Sequence, residues 1–252
     1  MISQQAYGPL TGLPRLLSML DRRQVRATFF VPGYTAHRYP GALRDIVAAG
    51  HEVGHHGYLH ESLEGVPPEV EAQFLDRGLN ALEDVAGVRP VGYRAPMWEP
   101  TYATPGLLAD RGFLYDSTLM DSDHPYELAI ADRPGASLVE IPIQWALDDW
   151  GQYCYIPGVS GTGAIANPTA TVQTWREEYA GIRDEGGCFV LTNHPFLSGR
   201  PSRVAALEQL IAEATDDPSV WVASLEEIAR HVRGLQLEPR AVSRPEVPAD
   251  YQ

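Results

Sequence analysis

The amino-acid sequence predicts an α/β fold, a distorted parallel (β/α) barrel of seven to eight strands that lacks its first strand. Three observations carry this expectation. Short β-branched and aromatic runs alternate with stretches whose apolar residues recur at helical spacing, the cadence of parallel strands joined by right-handed helical crossovers. Polar residues capable of chemistry fall directly after these runs, at the strand ends that form the active-site face of such barrels. The chain also opens on a helix with no strand before it, so one strand–helix unit is incomplete. An open doubly wound sheet is the alternative architecture.

Taken in order, Leu13, Leu16, Leu17 and Leu20 define an amphipathic first helix over 13–23. The run RATFFV at 26–31, closed by Pro32-Gly33, predicts a buried strand. A helix over 41–49 ends at Gly50, and 51–54 predicts a short strand that delivers the histidines after it. A long helix over 68–86 carries Val70, Phe74, Leu82 and Val85 on one face and stops at Gly87. Strands are expected near 91–94, 114–116, 138–142, 189–193 and 220–223, with helices near 105–111, 171–184, 203–215 and 225–232. These elements make one domain over 1–234. Residues 235–252, with three prolines and several charges, predict an irregular tail.

At 252 residues the chain is long enough for one large domain, and its formal net charge of −14 argues against nucleic acid or an anionic membrane surface as a partner. No apolar run reaches the length of a membrane span, and the first residues carry no signal-peptide pattern. Two cysteines, Cys154 and Cys188, are too few for a disulfide framework and fit a reducing cytoplasm.

The chemistry concentrates at 50–61, GHEVGHHGYLHE, which holds four of the eight histidines. His56 and His60 stand four residues apart, a spacing that points two imidazoles at one ion, and Glu61 is a candidate carboxylate behind them. His51 and His55 share that spacing, so spacing alone does not choose between the pairs. Imidazole suits zinc, cobalt or nickel because it is unprotonated at neutral pH. Further along, Arg94, Asp148, Asp149 and His194 each follow a predicted strand. The run SGTGAIA at 160–166 is glycine-rich but lacks the lysine of a phosphate loop and predicts a flexible loop near the mouth of the site.

Five segments in order, ATFFVPG at 27–33, HGYLH at 56–60, GYRAPMW at 92–98, LDDW at 147–150 and LTNHP at 191–195, give the chain a resemblance to the polysaccharide deacetylase superfamily, carbohydrate esterase family 4. The match spans about Tyr7 to Val232. Its pattern, with GRPSR at 199–203, is closer to the peptidoglycan-deacetylase-like, allantoinase-like and cyclic imidase branch than to secreted chitin deacetylases. The resemblance implies a hydrolase of amide C–N bonds that holds a divalent metal, zinc first with cobalt, nickel or manganese also suited. By the same resemblance His56 and His60 are metal ligands, His194 is the catalytic histidine, Asp149 or Asp148 orients it, and Arg94 walls the groove. Tyr58, Pro96, Trp98, Asp148 and Trp150 are the candidate substrate contacts, with Trp145 and Tyr153 as further aromatic platforms.

The chain departs from the family in one respect. The paired aspartates of the first strand, one a base and one the third metal ligand, have no counterpart ahead of the 13–23 helix. A truncated chain and a naturally inactive, carbohydrate-binding homologue are the two readings of this departure, and substitution by Asp116, Asp121 or Asp123 lacks the spacing of the motif. The expected substrate is a small cyclic imide or ureide or an N-acetylated sugar. The expected assembly is a homo-oligomer that covers the strand edges left unpaired.

Overall fold

The computed structural model describes residues 3–131, 133–158, 161 and 164–242. Its sheet is mostly parallel. Strands β1 (Thr28–Val31), β2 (Glu52–His55), β3 (Gly92–Tyr93) and β4 (Tyr115–Asp116) lie side by side in chain order. Beyond them β5 (Tyr126–Ala129) and β6 (Ser137–Glu140) form an antiparallel pair, of which β6 joins β4 in parallel. The α/β class with a mostly parallel sheet is therefore the one expected. The ladder joins six strands in the order β1-β2-β3-β4-β6-β5, and β1 and β5 are its edges among the described residues.

Among the described residues ten α-helices accompany the sheet: α1 (Leu13–Arg23), α2 (Gly33–Arg38), α3 (Pro40–Ala48), α4 (Pro68–Ala86), α5 (Thr104–Asp110), α6 (Asp149–Tyr153), α7 (Pro168–Asp184), α8 (Pro195–Ser198), α9 (Pro201–Asp216) and α10 (Leu225–Gly234). Helices α1 and α4 have the bounds expected from their apolar spacing, and Gly87 ends α4 in the left-handed conformation at φ 66°. A turn of π-helix, Gly8–Gly12, leads into α1. The buried face of α1 is Leu13, Leu16, Met19 and Leu20, close to the expected one, whereas α4 buries Leu75, Leu79 and Leu82 and leaves the expected Val70, Phe74 and Val85 only partly covered. Leu16, Met19 and Leu20 of α1 meet Trp175 of α7 and Leu207 and Leu210 of α9. Leu43 and Ile46 of α3 and Leu82 of α4 close over Val31 and Val53, and Tyr115, Val139 and Ile141 pack under α10.

Two expected strands need correction, and one strand was not expected. The 189–193 run stays extended but joins its neighbour by a single bridge, Asp148↔Thr192, so it does not extend the ladder. The 220–223 run forms no strand, and Trp221 and Val222 are exposed there. Conversely β5 has little β-branched content and is held instead by its antiparallel partner β6 across the turn around Pro134-Gly135. The described part of the tail touches the sheet at one bridge: the Arg240 N–H donates to the Glu127 carbonyl (2.7 Å) and the Ala129 N–H to the Arg240 carbonyl (2.9 Å), beside the outer edge of β5. Residues 243–252 of that tail, and Ser160, Thr162 and Gly163 of the glycine-rich run, lie outside the described residues.

Helix α4 crosses behind the histidine segment at Gly78, where a Cβ would stand 2.2 Å from His55 Nε2 and 2.8 Å from the Gly57 carbonyl oxygen. Glycine inside a helix ordinarily costs about 1 kcal/mol against alanine. Here the order inverts, because a methyl group would push the histidine segment off the helix. Gly78→Ala is expected to destabilise the fold by about 1–3 kcal/mol, read as a lower midpoint in urea unfolding. An unchanged or higher midpoint would show that the segment yields freely.

Candidate active site

The four histidines of 50–61 divide into two that hold the fold and two that face the groove. His51 accepts the Ala27 N–H at Nδ1 (3.2 Å). His55 is buried, with Nδ1 accepting the Gly57 N–H (3.2 Å) and Nε2 donating to the Leu75 carbonyl (3.0 Å), so both ring nitrogens are used. Burial lowers its pKa to about 4, which keeps it neutral. His56 places Nδ1 2.7 Å from the Arg94 carbonyl. A carbonyl only accepts, so Nδ1 carries the proton and the Nε2 lone pair is left available. His60 adopts φ 61° and turns its ring toward His56, with centroids 4.8 Å apart and planes at 78°. Burial lowers both pKa values, helped by His60 at His56 and by His194 at His60, so both rings are neutral at neutral pH. Glu61 is occupied within the loop: its carboxylate accepts the N–H groups of Tyr58 (3.0 Å) and Leu59 (2.5 Å) and closes the turn.

Arg94, at the end of β3, is only 5% exposed. Its Nε donates to the Ser117 carbonyl (2.8 Å), Nη2 to the Ser117 hydroxyl (2.7 Å) and Nη1 to the Thr192 hydroxyl (3.0 Å), while the guanidinium lies 4.5 Å over the Phe30 ring. Burial pushes its pKa down to about 10, against the pull of surrounding acidic groups, so it remains a cation.

Opposite the histidine pair, the LDDW run meets the strand-like segment before His194. Asp149 N–H donates to the Thr192 carbonyl (3.1 Å) and Thr192 N–H to the Leu147 carbonyl (2.8 Å). This pairing puts Asp149 Oδ1 2.7 Å from His194 Nδ1. Its other oxygen accepts the His194 N–H (2.9 Å), the Ser198 N–H (3.2 Å) and the Ser198 hydroxyl. Asp148 Oδ1 accepts the Trp150 N–H (2.6 Å) as the N-cap of α6 and lies 3.6 Å from His194 Nδ1. Burial alone would lower the His194 pKa, but the Asp149 hydrogen bond and the charges of Asp149 and Asp148 outweigh it, and the net direction is upward. Asp148 is raised, chiefly by burial.

The groove walls follow from the same segments. Pro96 is buried, and Trp98, at φ 59°, is 8% exposed and stacks on Trp145 at 4.3 Å and 29°. Met97 also has φ 59°, so two consecutive non-glycine residues hold the sparsely populated left-handed region beside the site. Trp150 stands 5.5 Å from the His194 ring and 6.1 Å from Phe196. Tyr58 faces the helices, with the Arg77 guanidinium 4.1 Å over its ring, and Tyr153 is buried against Trp175.

Among the described residues one group of three side chains and the pair His56 and His60 offer metal-ligand atoms. Asp148, Asp149 and His194 bring three ligand atoms within 4.8 Å of one another. Yet Asp149 already accepts four donors, the full capacity of a carboxylate, and His194 Nδ1 is one of them. That arrangement fits a hydrogen-bonded acid better than a metal site. His56 and His60, neutral and each with lone-pair capacity, fit an imidazole-ligated divalent ion as two of its ligands.

The structure thus brings His56, His60, Arg94, Asp148, Asp149, Trp150 and His194 near one another, while Trp98 packs on Trp145 and Tyr58 turns to Arg77 of α4. Sequence reasoning missed Ser198, although it stands four residues after His194 at the spacing of one helical turn. It also missed Ser117, Thr118 and Thr192, whose hydroxyls give no signal until Arg94 is known to be buried.

A family model for polysaccharide deacetylase matches residues 7–113. A peptidoglycan deacetylase of Helicobacter pylori is 31% identical over 251 residues, covering 90% of this chain and 86% of that protein. A crystal structure from Mycobacterium smegmatis, assigned to the polysaccharide deacetylases, is 61% identical with a TM-score of 0.95, covering 98% of this chain and 85% of that one. An allantoinase structure is similar at a TM-score of 0.82 and 26% identity, covering 93% of this chain and 76% of that one.

The Asp149–His194 pair sets a pH test. The folded-state pKa of His194 lies above its unfolded value of about 6.5, so the pair's stabilisation is fully present below that pH and is lost as pH rises through the raised value. Asp149→Asn removes the charge and leaves the burial. The His194 pKa is then expected below 6.5, measured from ring carbon-bound proton shifts by NMR, and a value still above 6.5 would transfer the effect to Asp148.

Proposed function

This chain belongs to the polysaccharide deacetylase family, and from that membership we propose that it is a metal-dependent hydrolase that removes the acetyl group from an N-acetylated sugar. The observation that carries the reading is the opposition of two neutral imidazoles, His56 and His60, to a histidine whose pKa is raised by a saturated aspartate. His56 and His60 would hold the ion, zinc first by ligand type, with cobalt, nickel and manganese also suited. Such an ion supplies polarisation of the amide carbonyl and a more acidic water.

The chain's own residues account for the remainder. Amide nitrogen leaves poorly until it is protonated. His194, its Nδ1 held by Asp149, presents Nε2 to the groove and would deliver that proton, a contribution of about 10²–10⁴-fold in rate. Asp149 fixes the ring, Asp148 adds charge that favours the imidazolium, and Trp150 shields the pair from water. Arg94 keeps its positive charge near neutral pH and ties the β3 end to Thr192, which aligns the two halves of the groove.

The exposed faces of Trp145 (54%) and Met97 (51%) favour a sugar over a small cyclic imide or ureide. An aromatic face open to solvent beside the groove suits the flat apolar side of a pyranose ring, whereas a small planar ring would be enclosed. We further propose that copies of the chain associate through the edge at β1, where Trp221 and Val222 are exposed nearby in the extended run after α9. A reducing cytoplasmic setting fits the free thiol of Cys188, which burial raises to about 11 and leaves unreactive.

Acetate release from N-acetylglucosamine oligosaccharides tests the reaction. Chelation, or either of His56→Ala and His60→Ala, is expected to abolish both turnover and bound metal, while Trp145→Ala raises KM with kcat little changed. Ring opening of a cyclic imide without acetate release would reassign the substrate, and sugar binding with neither metal nor turnover would make the chain a non-catalytic binder. Light scattering at micromolar concentration is expected to give a mass above the monomer, with more than roughly 1,000 Å² buried in the interface, and a monodisperse monomer would remove the association.

A further inference from the structure

Arg94 and His56 rest on a layer of buried groups to which the proposed reaction assigns no role. The layer begins with two carboxyl groups, Asp116 at the end of β4 and Glu140 at the end of β6, which face each other in register. Both are fully enclosed, at 1% and 0% exposure. Asp116 Oδ1 accepts the Ser117 N–H (2.8 Å) and the Thr118 hydroxyl proton. Glu140 Oε1 accepts the N–H groups of Thr118 (3.0 Å) and Leu119 (2.8 Å), while its Oε2 has no partner.

The surroundings of this pair set its charge. Two buried carboxyls side by side do not both ionise. Burial raises both, Asp116 to about 7 and Glu140 well beyond the usual carboxylate range. The orphaned oxygen belongs to Glu140, and an unpartnered oxygen costs far less on a neutral acid than on a buried anion. The proton therefore resides on Glu140. The negative charge that the pair can carry falls on Asp116, in the field of the Arg94 guanidinium.

From Asp116 the hydrogen bonds run upward to the site. Thr118 donates its hydroxyl to Asp116 and with the same oxygen accepts the Ala95 N–H (3.0 Å), which fixes the backbone just after Arg94. Ser117 offers its carbonyl and its hydroxyl to Arg94, and that hydroxyl in turn donates to the Ile141 carbonyl (2.8 Å). Arg94, held at its head and at the next peptide, presents its own carbonyl to His56 Nδ1. We propose that Asp116, acting through Ser117 and Thr118, is a positioning residue: it fixes Arg94 and, through the Arg94 carbonyl, the tautomer and orientation of His56. This rests on the hydrolase reading above for its effect on turnover, but not for its effect on Arg94 or on metal affinity.

Thr118→Val is the sharpest test, since valine keeps the shape and removes the one oxygen that joins Asp116 to Ala95. Hydrogen exchange of the Arg94 Nε–H, followed by NMR, is expected to accelerate at least about tenfold, and zinc affinity, measured by competition with a chromophoric chelator, to fall about 10–100-fold. In the turnover assay kcat falls within the same range and KM stays within about threefold. Thr118→Ser, which restores the hydroxyl, is expected to return all three values close to wild type. Should Thr118→Val not fold, Asp116→Asn keeps the acceptor oxygen, removes the charge, and is expected to shift exchange and zinc affinity in the same direction by a smaller factor. Wild-type Arg94 exchange and zinc affinity in a folded variant would overturn the proposal, as would equal impairment by valine and serine, which would mark Thr118 as packing alone. If the wild-type chain releases no acetate, the hydrolase reading fails while exchange and zinc affinity still decide this one.

Discussion

A guanidinium buried at the end of β3 obliges its neighbours to supply acceptors, and the shape of the groove follows from where they stand. Arg94 takes a carbonyl and a hydroxyl from Ser117 and a hydroxyl from Thr192. Ser117 directly follows β4, and Thr192 lies in the segment that carries His194. One side chain therefore joins the third and fourth strands to the far wall, across a region where the sheet offers only the single bridge at Thr192. Burying a charge is unfavourable unless it is paired and hydrogen-bonded, so the positions of these acceptors are mutually constrained. The backbone carbonyl of the same residue then sets the proton of His56.

The opposite wall is organised by a different economy of the same kind. Asp149 is saturated by four donors drawn from His194 and Ser198. A saturated carboxylate has one geometry and holds its histidine in one tautomer. Charges in the groove are thus arranged by sign: neutral imidazoles on the β2 side, a raised imidazole opposite, and a cation below that disfavours protonation of His56.

How much of this was legible in the sequence depends on the kind of signal. Helices α1 and α4 were read to the residue because apolar spacing and a terminal glycine are local. The HGYLH, GYRAPMW, LDDW and LTNHP segments were legible as chemistry because unusual residues cluster in them, and the groove unites them. The runs at 189–193 and 220–223 have strand composition, yet pairing is decided by what lies alongside, which composition does not contain. Strand β5 failed in the opposite sense, since YELA becomes a strand only through β6. That the His51 and His55 rings are engaged within the fold is visible only with their partners Ala27, Gly57 and Leu75, all contributed by other elements or by the turn itself. Ser117, Thr118 and Glu140 are ordinary residues in the sequence and acquire meaning only from the charge above them.

The histidine that does no chemistry gives the molecule an acid limit. His55 is neutral in the fold down to about pH 4, whereas an unfolded histidine takes up its proton near 6.5. Between those values the unfolded chain binds the extra proton, so each pH unit of acidification tips the balance toward unfolding by up to about 1.4 kcal/mol. The strain is delivered at β2 and the backs of Gly57 and Gly78, the segment that carries His56 and His60. That proton uptake bears on the β2–α4 contact, where the buried His55 ring meets the Leu75 carbonyl and lies against Gly78.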